Sequence, residues 1–319
     1  HVPTKDKRFQ KVKFFFIQKK DNRWHFEAKG AKYKMYGGEA MEVRRILKSF
    51  LLMALCFFIF PSFTFAENNA GSVIDTFNFK AGADFRYLDY DTSDSNEEFD
   101  GPMFGVAGDF FYHGISNMDN YLMAGIELEV LGGSLDSDGQ NIGGSIDGSD
   151  DFLIETRGLV GYDYFTDNSN LITPFTGIGY RYWNNDIDGS GGFKREVQYW
   201  YAPIGIKSLG SLAENWTGGI TAEYDLFLGG TVKSHLSDID SRYNDPEVDQ
   251  DPFDGHGFRF SVHLTREFEE RGHSLTFEPY IRYWDLDKSG TKAVTGASID
   301  SFEPENETLS YGIRLSLSF

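Results

Sequence analysis

The last nine residues constrain the fold of this chain more than any other segment. They alternate apolar side chains with small or polar ones and end on an aromatic residue. A period of two is that of a β-strand, in which successive side chains point to opposite faces. The segment therefore predicts a strand with one apolar face and one polar face. The apolar face consists of Tyr311, Ile313, Leu315, Leu317 and the terminal Phe319.

The other end of the chain carries the pattern of a secretory signal peptide. Basic residues at 44, 45 and 48 precede an apolar run over 50–60, and Thr64-Phe65-Ala66 then places small residues around a cleavage position. Pro61 stops the run short of the ~20 residues that a membrane-spanning helix needs. We therefore predict an upstream extension over 1–40, a signal peptide over 41–66 and an exported domain over 67–319.

The exported domain is strongly acidic. Residues 1–66 hold 14 of the 30 Lys and Arg residues but only 5 of the 49 Asp and Glu residues, so residues 67–319 carry 16 basic against 44 acidic side chains, a net charge of −28. This balance excludes a nucleic-acid partner, because such a partner needs a basic face. The single cysteine, Cys56, lies in the predicted signal, so the domain offers neither a disulfide nor a thiol nucleophile.

The period of two recurs in ten segments of the exported domain, and the connections between them alternate in length. An even number of antiparallel strands joined in this way is typical of a closed transmembrane β-barrel, since only closure satisfies every strand backbone group in lipid. The short connections lie near 113–119, 166–170, 210–215 and 269–274; the longer, Gly-, Asp- and Ser-rich ones lie at 92–101, 132–150, 184–195, 229–255 and 288–307.

A strand that ends on a terminal aromatic residue resembles the closing strand of Gram-negative outer-membrane β-barrels. In that family the same ending is read by the barrel-insertion machinery, here through Phe319. The resemblance implies an all-β, closed antiparallel barrel of ten strands, integral to the outer membrane, with short periplasmic turns and long external loops. Its expected partners are the insertion machinery, membrane lipid and lipopolysaccharide.

The strand faces opposite the apolar ones carry charges of both signs. A ten-stranded barrel is narrow, and a charge buried in it must be paired, so we expect a network of ion pairs that fills the lumen. The inward set is Lys80, Asp84, Arg86, Glu127, Glu129, Glu155, Arg157, Asp163, Arg181, Lys207, Glu223, Asp225, Arg259, His263, Glu267, Glu278, Arg282 and Arg314. Arg86, Arg157, Arg181, Arg282, Glu127, Glu155, Glu223, Asp225 and Glu278 are its predicted core.

Aromatic residues on the outward faces cluster near the two ends of the strands. Rings at both headgroup levels form the two girdles of a membrane barrel. A sugar-binding or base-stacking role is the alternative. Tyr180, Tyr182, Trp200 and Tyr283 lie near the loop ends; Tyr112, Tyr162, Tyr164, Trp216 and Phe319 lie near the turn ends.

A short repeat marks the external ends of strands one, five and nine. Each has Arg-Tyr, starting at Arg86, Arg181 and Arg282, followed by aspartates at alternate positions. Alternating carboxylates beside a glycine turn can bind Ca²⁺, whereas the alternative is an ordinary solvated hairpin. The candidate metal ligands are Asp186, Asp188, Asp285 and Asp287, and no other cofactor is expected.

The strand number also resembles that of the omptin proteases, whose catalytic site lies on the external rim. That resemblance implies an Asp pair in the second external loop, here Asp136 and Asp138, and an Asp–His pair in the fourth, here Asp254 and His256. His256, held by Asp254, would act as the base that activates a water. An equally placed rival combines His235, Asp238 and Asp240.

Taken together, these patterns favour a surface-binding or envelope-stabilising barrel with acidic external loops. The two alternatives are an omptin-like rim endopeptidase and a narrow solute channel.

Overall fold

The computed structural model describes residues 17–20, 23–28, 31–33, 77–93, 98–115, 120–137, 139–141, 144–166, 170–268, 273–297 and 299–318. The predicted signal peptide, Asp138 and Phe319 lie outside the described residues. Strands Ile17–Lys20, Arg23–Ala28 and Ala31–Tyr33 form an antiparallel sheet of their own, in a compact unit separate from residues 64–319. Among the described residues, no helix is long and apolar enough to cross a membrane.

Ten long antiparallel strands dominate the second unit. They are β1 (Phe77–Thr92), β2 (Glu98–Ile115), β3 (Asn120–Ser137), β4 (Gly148–Phe165), β5 (Asn170–Asp188), β6 (Lys194–Ala213), β7 (Trp216–Ser234), β8 (Gly255–Phe268), β9 (His273–Leu286) and β10 (Asn306–Ser318).

The sheet closes on itself. Each strand pairs with the next, and β10 pairs back with β1 from Asn306 opposite Thr92 to Ser318 opposite Lys80. The predicted C-terminal strand is thus the closing strand, and the predicted ten-stranded barrel is confirmed. Closure leaves no edge strand, which is the condition for crossing lipid with strands.

The strands are longer than the sequence predicted. Most have 14–20 residues, whereas crossing a bilayer takes about 9–11. The excess lies at the external end, where segments predicted as loops are paired: Asp91 lies opposite Glu98, and Asp186 opposite Lys194. The predicted loops 92–101 and 184–195 were therefore too long. Polar residues such as Asp186 and Asp188 are exposed, but the backbones of these segments extend the barrel wall beyond the membrane.

One external connection also contributes to the wall. β8 begins at Gly255, well below the top of β7, and strand Glu247–Gln250 pairs with β7 above that point. A 3₁₀ turn, Leu236–Asp238, precedes it. Short hairpins, Gly139–Asn141 with Gly144–Ile146 and Lys292–Ala293 with Asp300–Ser301, complete the described external end.

The alternation of side chains along the strands matches the predicted faces. Outward residues such as Phe104, Val106 and Ile126 are about 60% exposed, whereas Arg86 and Asp225 on the inward face are fully buried. The outer wall is therefore apolar and the lumen polar at mid-height, as a lipid-embedded barrel requires.

Candidate functional site

Apolar side chains fill the external half of the lumen. We call this cluster the apolar cap. Its members come from all around the wall and from the external connections, and every one is buried. They are Leu88, Tyr90, Phe99, Met103, Leu131, Leu135, Ile146, Leu153, Trp183, Ile187, Val197, Tyr199, Tyr201, Phe227, Val232, Val248, Trp284 and Leu286.

Aromatic rings form the centre of the apolar cap. Trp284 on β9 is only 1% exposed, and its ring centroid lies 4.8 Å from that of Tyr199 and 5.2 Å from that of Tyr201, both in edge-on geometry. Tyr90 meets Trp183 in the same way at 5.3 Å. Such contacts add to the apolar area that each ring buries, so this end of the lumen is packed like a protein core.

Two glycines on the inner wall make room for these rings. A Cβ atom at Gly179 would lie 2.2 Å from the Tyr201 ring, and one at Gly257 would lie 2.9 Å from the Trp284 ring. Either distance is a clash, so each ring lies directly against bare backbone. The cap therefore depends on an absence of side chains at two wall positions.

The last external connection is tied across the mouth above the apolar cap. Glu303 is almost fully buried; its carboxylate accepts a hydrogen bond from the Tyr90 hydroxyl at 2.8 Å and lies 3.4 Å from the Arg195 guanidinium. That guanidinium also lies over the Tyr90 ring, 4.9 Å from its centroid. The charged pair is thus fixed to the cap and helps to close the external end.

Below the apolar cap, Glu129 is the centre of an ion network. Arg282 donates two hydrogen bonds to its two carboxylate oxygens, both 3.0 Å long, and Arg86 and Arg314 also pair with it. Arg314 reaches on to Asp84 at 3.0 Å. Two-pronged guanidinium–carboxylate contacts are the strongest charge-assisted hydrogen bonds, so this group links four strands across the lumen.

A second group of ion pairs completes the layer. The Nε atom of Arg259 lies 3.0 Å from both Asp225 and Glu223, and its other end pairs with Glu155. Arg157 donates to Glu223 at 2.6 Å and also pairs with Glu127. With Glu129 and its arginines, these groups form a layer of ion pairs across the lumen at mid-height.

The remaining predicted network members also lie on the inner wall. Glu278 lies 3.7 Å from His263, whose ring also contacts the Thr221 hydroxyl at 2.8 Å. Arg181 is buried with its guanidinium 5.8 Å from the centroid of the Tyr199 ring, and no carboxylate of the described residues lies within 4 Å of it. Arg181 therefore belongs to the boundary between the network and the apolar cap.

The external rim carries rows of carboxylates on its outer wall. Asp285, Glu307, Asp91 and Glu98 lie opposite one another on β9, β10, β1 and β2. A second row joins Asp89, Asp100 and Asp136 on β1, β2 and β3. We call these two rows the carboxylate ladders. Side chains directly opposite on one face have Cβ atoms about 4.5–5.5 Å apart, so the ladders place like charges side by side.

The four predicted metal ligands are not brought together. Asp186 and Asp188 lie at the end of β5, and Asp285 and Asp287 lie at and after the end of β9, four strands away. Within the described part of the chain, no group of three or more His, Cys, Asp or Glu residues is placed to hold a metal ion. Cation binding at the rim stays a prediction, and it would involve separate positions.

The residues of the protease hypothesis also lie apart. His256 lies on the outer wall of β8, where its ring stacks on that of Tyr224 at 6.0 Å. Asp136 is exposed on the outer wall of β3, five strands away around the barrel. Asp254 is exposed just before β8. The predicted base therefore does not face the external mouth.

The rival histidine has different partners from those predicted. His235 lies 3.5 Å from both Glu196 and Asp245. Asp238 instead accepts a hydrogen bond from the Lys194 backbone N–H, and Asp240 pairs with Arg242, whose hydrogen bonds lower the pKa of Asp240 to about 2. This cluster lies at the external rim, because Glu196 is near the external start of β6 and faces outward.

The described members of the two aromatic girdles lie on the outer wall near the predicted ends of the strands. At the external end the rings of Tyr180 and Trp200 lie 4.8 Å apart, and the hydroxyl of Tyr180 donates upward to Gln198 at 2.9 Å. At the other end Tyr162 and Tyr164 lie 4.8 Å apart. Rings with one apolar side and one polar tip mark the two headgroup levels, so the carboxylate ladders lie just above the external one.

Comparison with known proteins identifies similar structures but no sequence relatives. No family model matches the chain, and no curated protein matches it. The outer-membrane protease OmpT of Escherichia coli is similar over 79% of this chain and 98% of its own, with a TM-score of 0.51 at 9% identity. The Pseudomonas putida toluene transporter TodX (TM-score 0.32, 11% identity, 77% and 89% covered) and the β domain of the Bordetella autotransporter BrkA (0.34, 13%, 75% and 99%) are more distant.

The likeness to OmpT shows the fold and nothing about activity. In this chain, the fold consists of ten antiparallel strands that close into one barrel. Combined with the apolar outer wall and the two girdles, the architecture is that of an integral outer-membrane β-barrel whose fold is similar to that of OmpT.

Proposed function

We propose that the protein is a non-conducting, envelope-stabilising barrel that binds surrounding lipopolysaccharide through divalent cations at its external rim. The observation that carries this proposal is the distribution of polar groups. Inside the barrel the charged groups form ion pairs below the apolar cap, and on the outer wall the carboxylate ladders lie just above the external aromatic girdle.

A channel role is disfavoured by the contents of the lumen. The apolar cap blocks the external half, and the ion pairs of Glu129 and Arg259 cross the middle. We therefore predict that the refolded protein gives no steady conductance in single-channel recordings across planar bilayers. Large, reproducible openings would contradict both the closed lumen and the proposed function.

The carboxylate ladders give the outer rim its binding chemistry. Like charges directly opposite one another destabilise a sheet, and phosphates of neighbouring lipids would add to the repulsion. Divalent cations prefer carboxylate and phosphate oxygens, so a cation held between a ladder and a phosphate offsets both repulsions. The ladders would thereby join the barrel to the lipid around it.

Thermal stability is expected to depend on divalent cations only when lipopolysaccharide surrounds the barrel. Binding to the folded state raises the unfolding midpoint by mass action. In vesicles that contain lipopolysaccharide, millimolar Ca²⁺ or Mg²⁺ should raise the midpoint by roughly 5 °C over the value with chelator. In vesicles of phosphatidylcholine alone the two midpoints should nearly agree. Circular dichroism during heating measures both.

Three double variants localise the effect. Asp285→Asn/Glu307→Gln removes two ladder carboxylates and should lose most of the cation-dependent shift. Glu214→Gln/Glu267→Gln makes the same chemical change at exposed positions of the periplasmic end and should retain it. Asp186→Asn/Asp188→Asn tests separately whether the carboxylates at the end of β5 contribute to the cation-dependent shift. Equal shifts in all variants, or no shift in the wild type, would refute the proposal.

A further inference from the structure

A cavity of about 70 Å³ lies in the lumen on the periplasmic side of the ion network. Its charged lining includes Lys80, Lys207, Asp109, His263 and Glu278. These positions lie within a few residues of the periplasmic ends of their strands. We call it the lysine cavity. The ion network and the apolar cap close its external side, so a solute reaches it from the periplasm.

The two lysines of this cavity differ from the arginines of the ion network. Arg157, Arg259, Arg282 and Arg314, which also border the cavity, all have carboxylate partners. By contrast, no carboxylate oxygen of the described residues lies within 4 Å of the ammonium group of Lys80 or Lys207. A cation in a narrow lumen is costly without a counter-charge. Asp109, directly opposite Lys80 on β2, and Glu278 also line the cavity, so its charges are mixed, but neither ammonium group has a direct carboxylate partner among the described residues.

The opposite side of the lysine cavity is apolar. Phe111, Met123, Leu159 and Phe175, from β2 to β5, form a buried cluster that lines it. The Lys207 ammonium group lies 5.5 Å from the centroid of the Phe111 ring, at the border of the two surfaces. A ligand that fits both sides has an anionic group at one end and an apolar body at the other.

The volume limits the size of such a ligand. A bound water needs roughly 10–15 Å³ of such cavity volume, so the cavity accommodates roughly five to seven waters. That space corresponds to a small aromatic or short-chain carboxylate. We propose that the lysine cavity binds a small amphipathic organic anion, with its carboxylate between Lys80 and Lys207 and its apolar body against Phe111 and Phe175.

Fluorine NMR on the refolded barrel tests the proposal with 4-fluorobenzoate as the probe. The neutral isostere 4-fluorobenzamide controls for partition into the detergent. We expect saturable binding of the benzoate and only non-saturable partition of the amide. Equal binding of the two would show an apolar cavity without anion selectivity and would overturn the proposal.

Variants assign the site. Lys80→Met/Lys207→Met should weaken benzoate binding by at least about tenfold, because it removes both charge-assisted hydrogen bonds to the carboxylate. Lys194→Met/Lys233→Met removes the same charge at the external rim and should leave binding unchanged. An unchanged affinity in the first variant would refute the assignment.

Two further measurements keep the test decisive if the double variant fails to fold. The single variant Lys207→Gln, which retains a polar side chain, should still weaken benzoate binding; wild-type affinity would refute the site. Inorganic phosphate should compete with benzoate weakly, because it gains nothing from the apolar side. Competition at equal concentrations would overturn the amphipathic part of the proposal.

Discussion

Replacing Glu129 with glutamine is expected to destabilise the barrel by about 3–5 kcal/mol, the usual cost of removing one partner from a buried ion network. Glu129 is nearly fully buried and pairs with Arg86, Arg282 and Arg314. Glutamine has nearly the same shape but no charge, so three guanidinium groups would keep only their remaining partners. Urea unfolding in lipid vesicles, followed by tryptophan fluorescence, measures the loss.

A matched variant separates charge from side-chain shape. Glu267→Gln makes the same change on the same inward parity, but at an exposed position of the periplasmic end, and should shift stability by less than about 0.5 kcal/mol. Adding Arg282→Met to Glu129→Gln should recover part of the loss, because it removes one of the uncompensated cations. If Glu129→Gln unfolds at the wild-type urea concentration, the network does not stabilise the fold.

Truncation of Trp284 to alanine is the second large effect that we expect. The ring is buried among Tyr199 and Tyr201 in the apolar cap, and losing a buried tryptophan typically costs about 3–5 kcal/mol through lost transfer energy and the cavity left behind. The thermal midpoint should fall accordingly. Far-ultraviolet circular dichroism during heating is the suitable measurement, because it does not depend on the deleted fluorophore.

Trp200→Ala is the control for this effect. Trp200 is also a tryptophan of a barrel strand, but it lies on the outer wall in the external girdle and is half exposed. Its loss removes contacts with Tyr180 and lipid, without opening a cavity in the lumen, so it should cost clearly less than Trp284→Ala. Equal losses for both variants would mean that the apolar cap is not a packed core.

The period-two pattern was sufficient to predict the fold because lipid and lumen select opposite side chains on every strand. It placed Arg86 and Glu155 inward and Phe104 and Ile126 outward, as the structure does. It also placed Glu129 and Arg259 on the inner wall, although their roles as network centres depend on distances between strands that no single-strand pattern contains.

The apolar cap was missed, although a signal for it was present. Leu88 and Tyr90 have the same parity as Arg86, and Tyr199 has the same parity as Tyr201. Other members of the cap, such as Phe99, Leu135 and Ile187, lie in segments that we predicted as loops because Asp, Gly and Ser are frequent there. Following the inward parity alone past the membrane would have shown apolar residues continuing up the wall. The sequence could not show which rim aspartates are neighbours, since only strand register contains that information.

The glycine–ring contacts of the inner wall have a consequence for how such a chain can diverge. The Tyr201 ring fills the space that a side chain at Gly179 would need, and the Trp284 ring does the same at Gly257. A larger residue at either glycine requires a smaller one at its partner, so each pair is expected to change together. A related barrel without the ring could carry any residue at the former glycine, and its external mouth would be wider. The amino acids at two wall positions would thus distinguish closed from open members of a lineage.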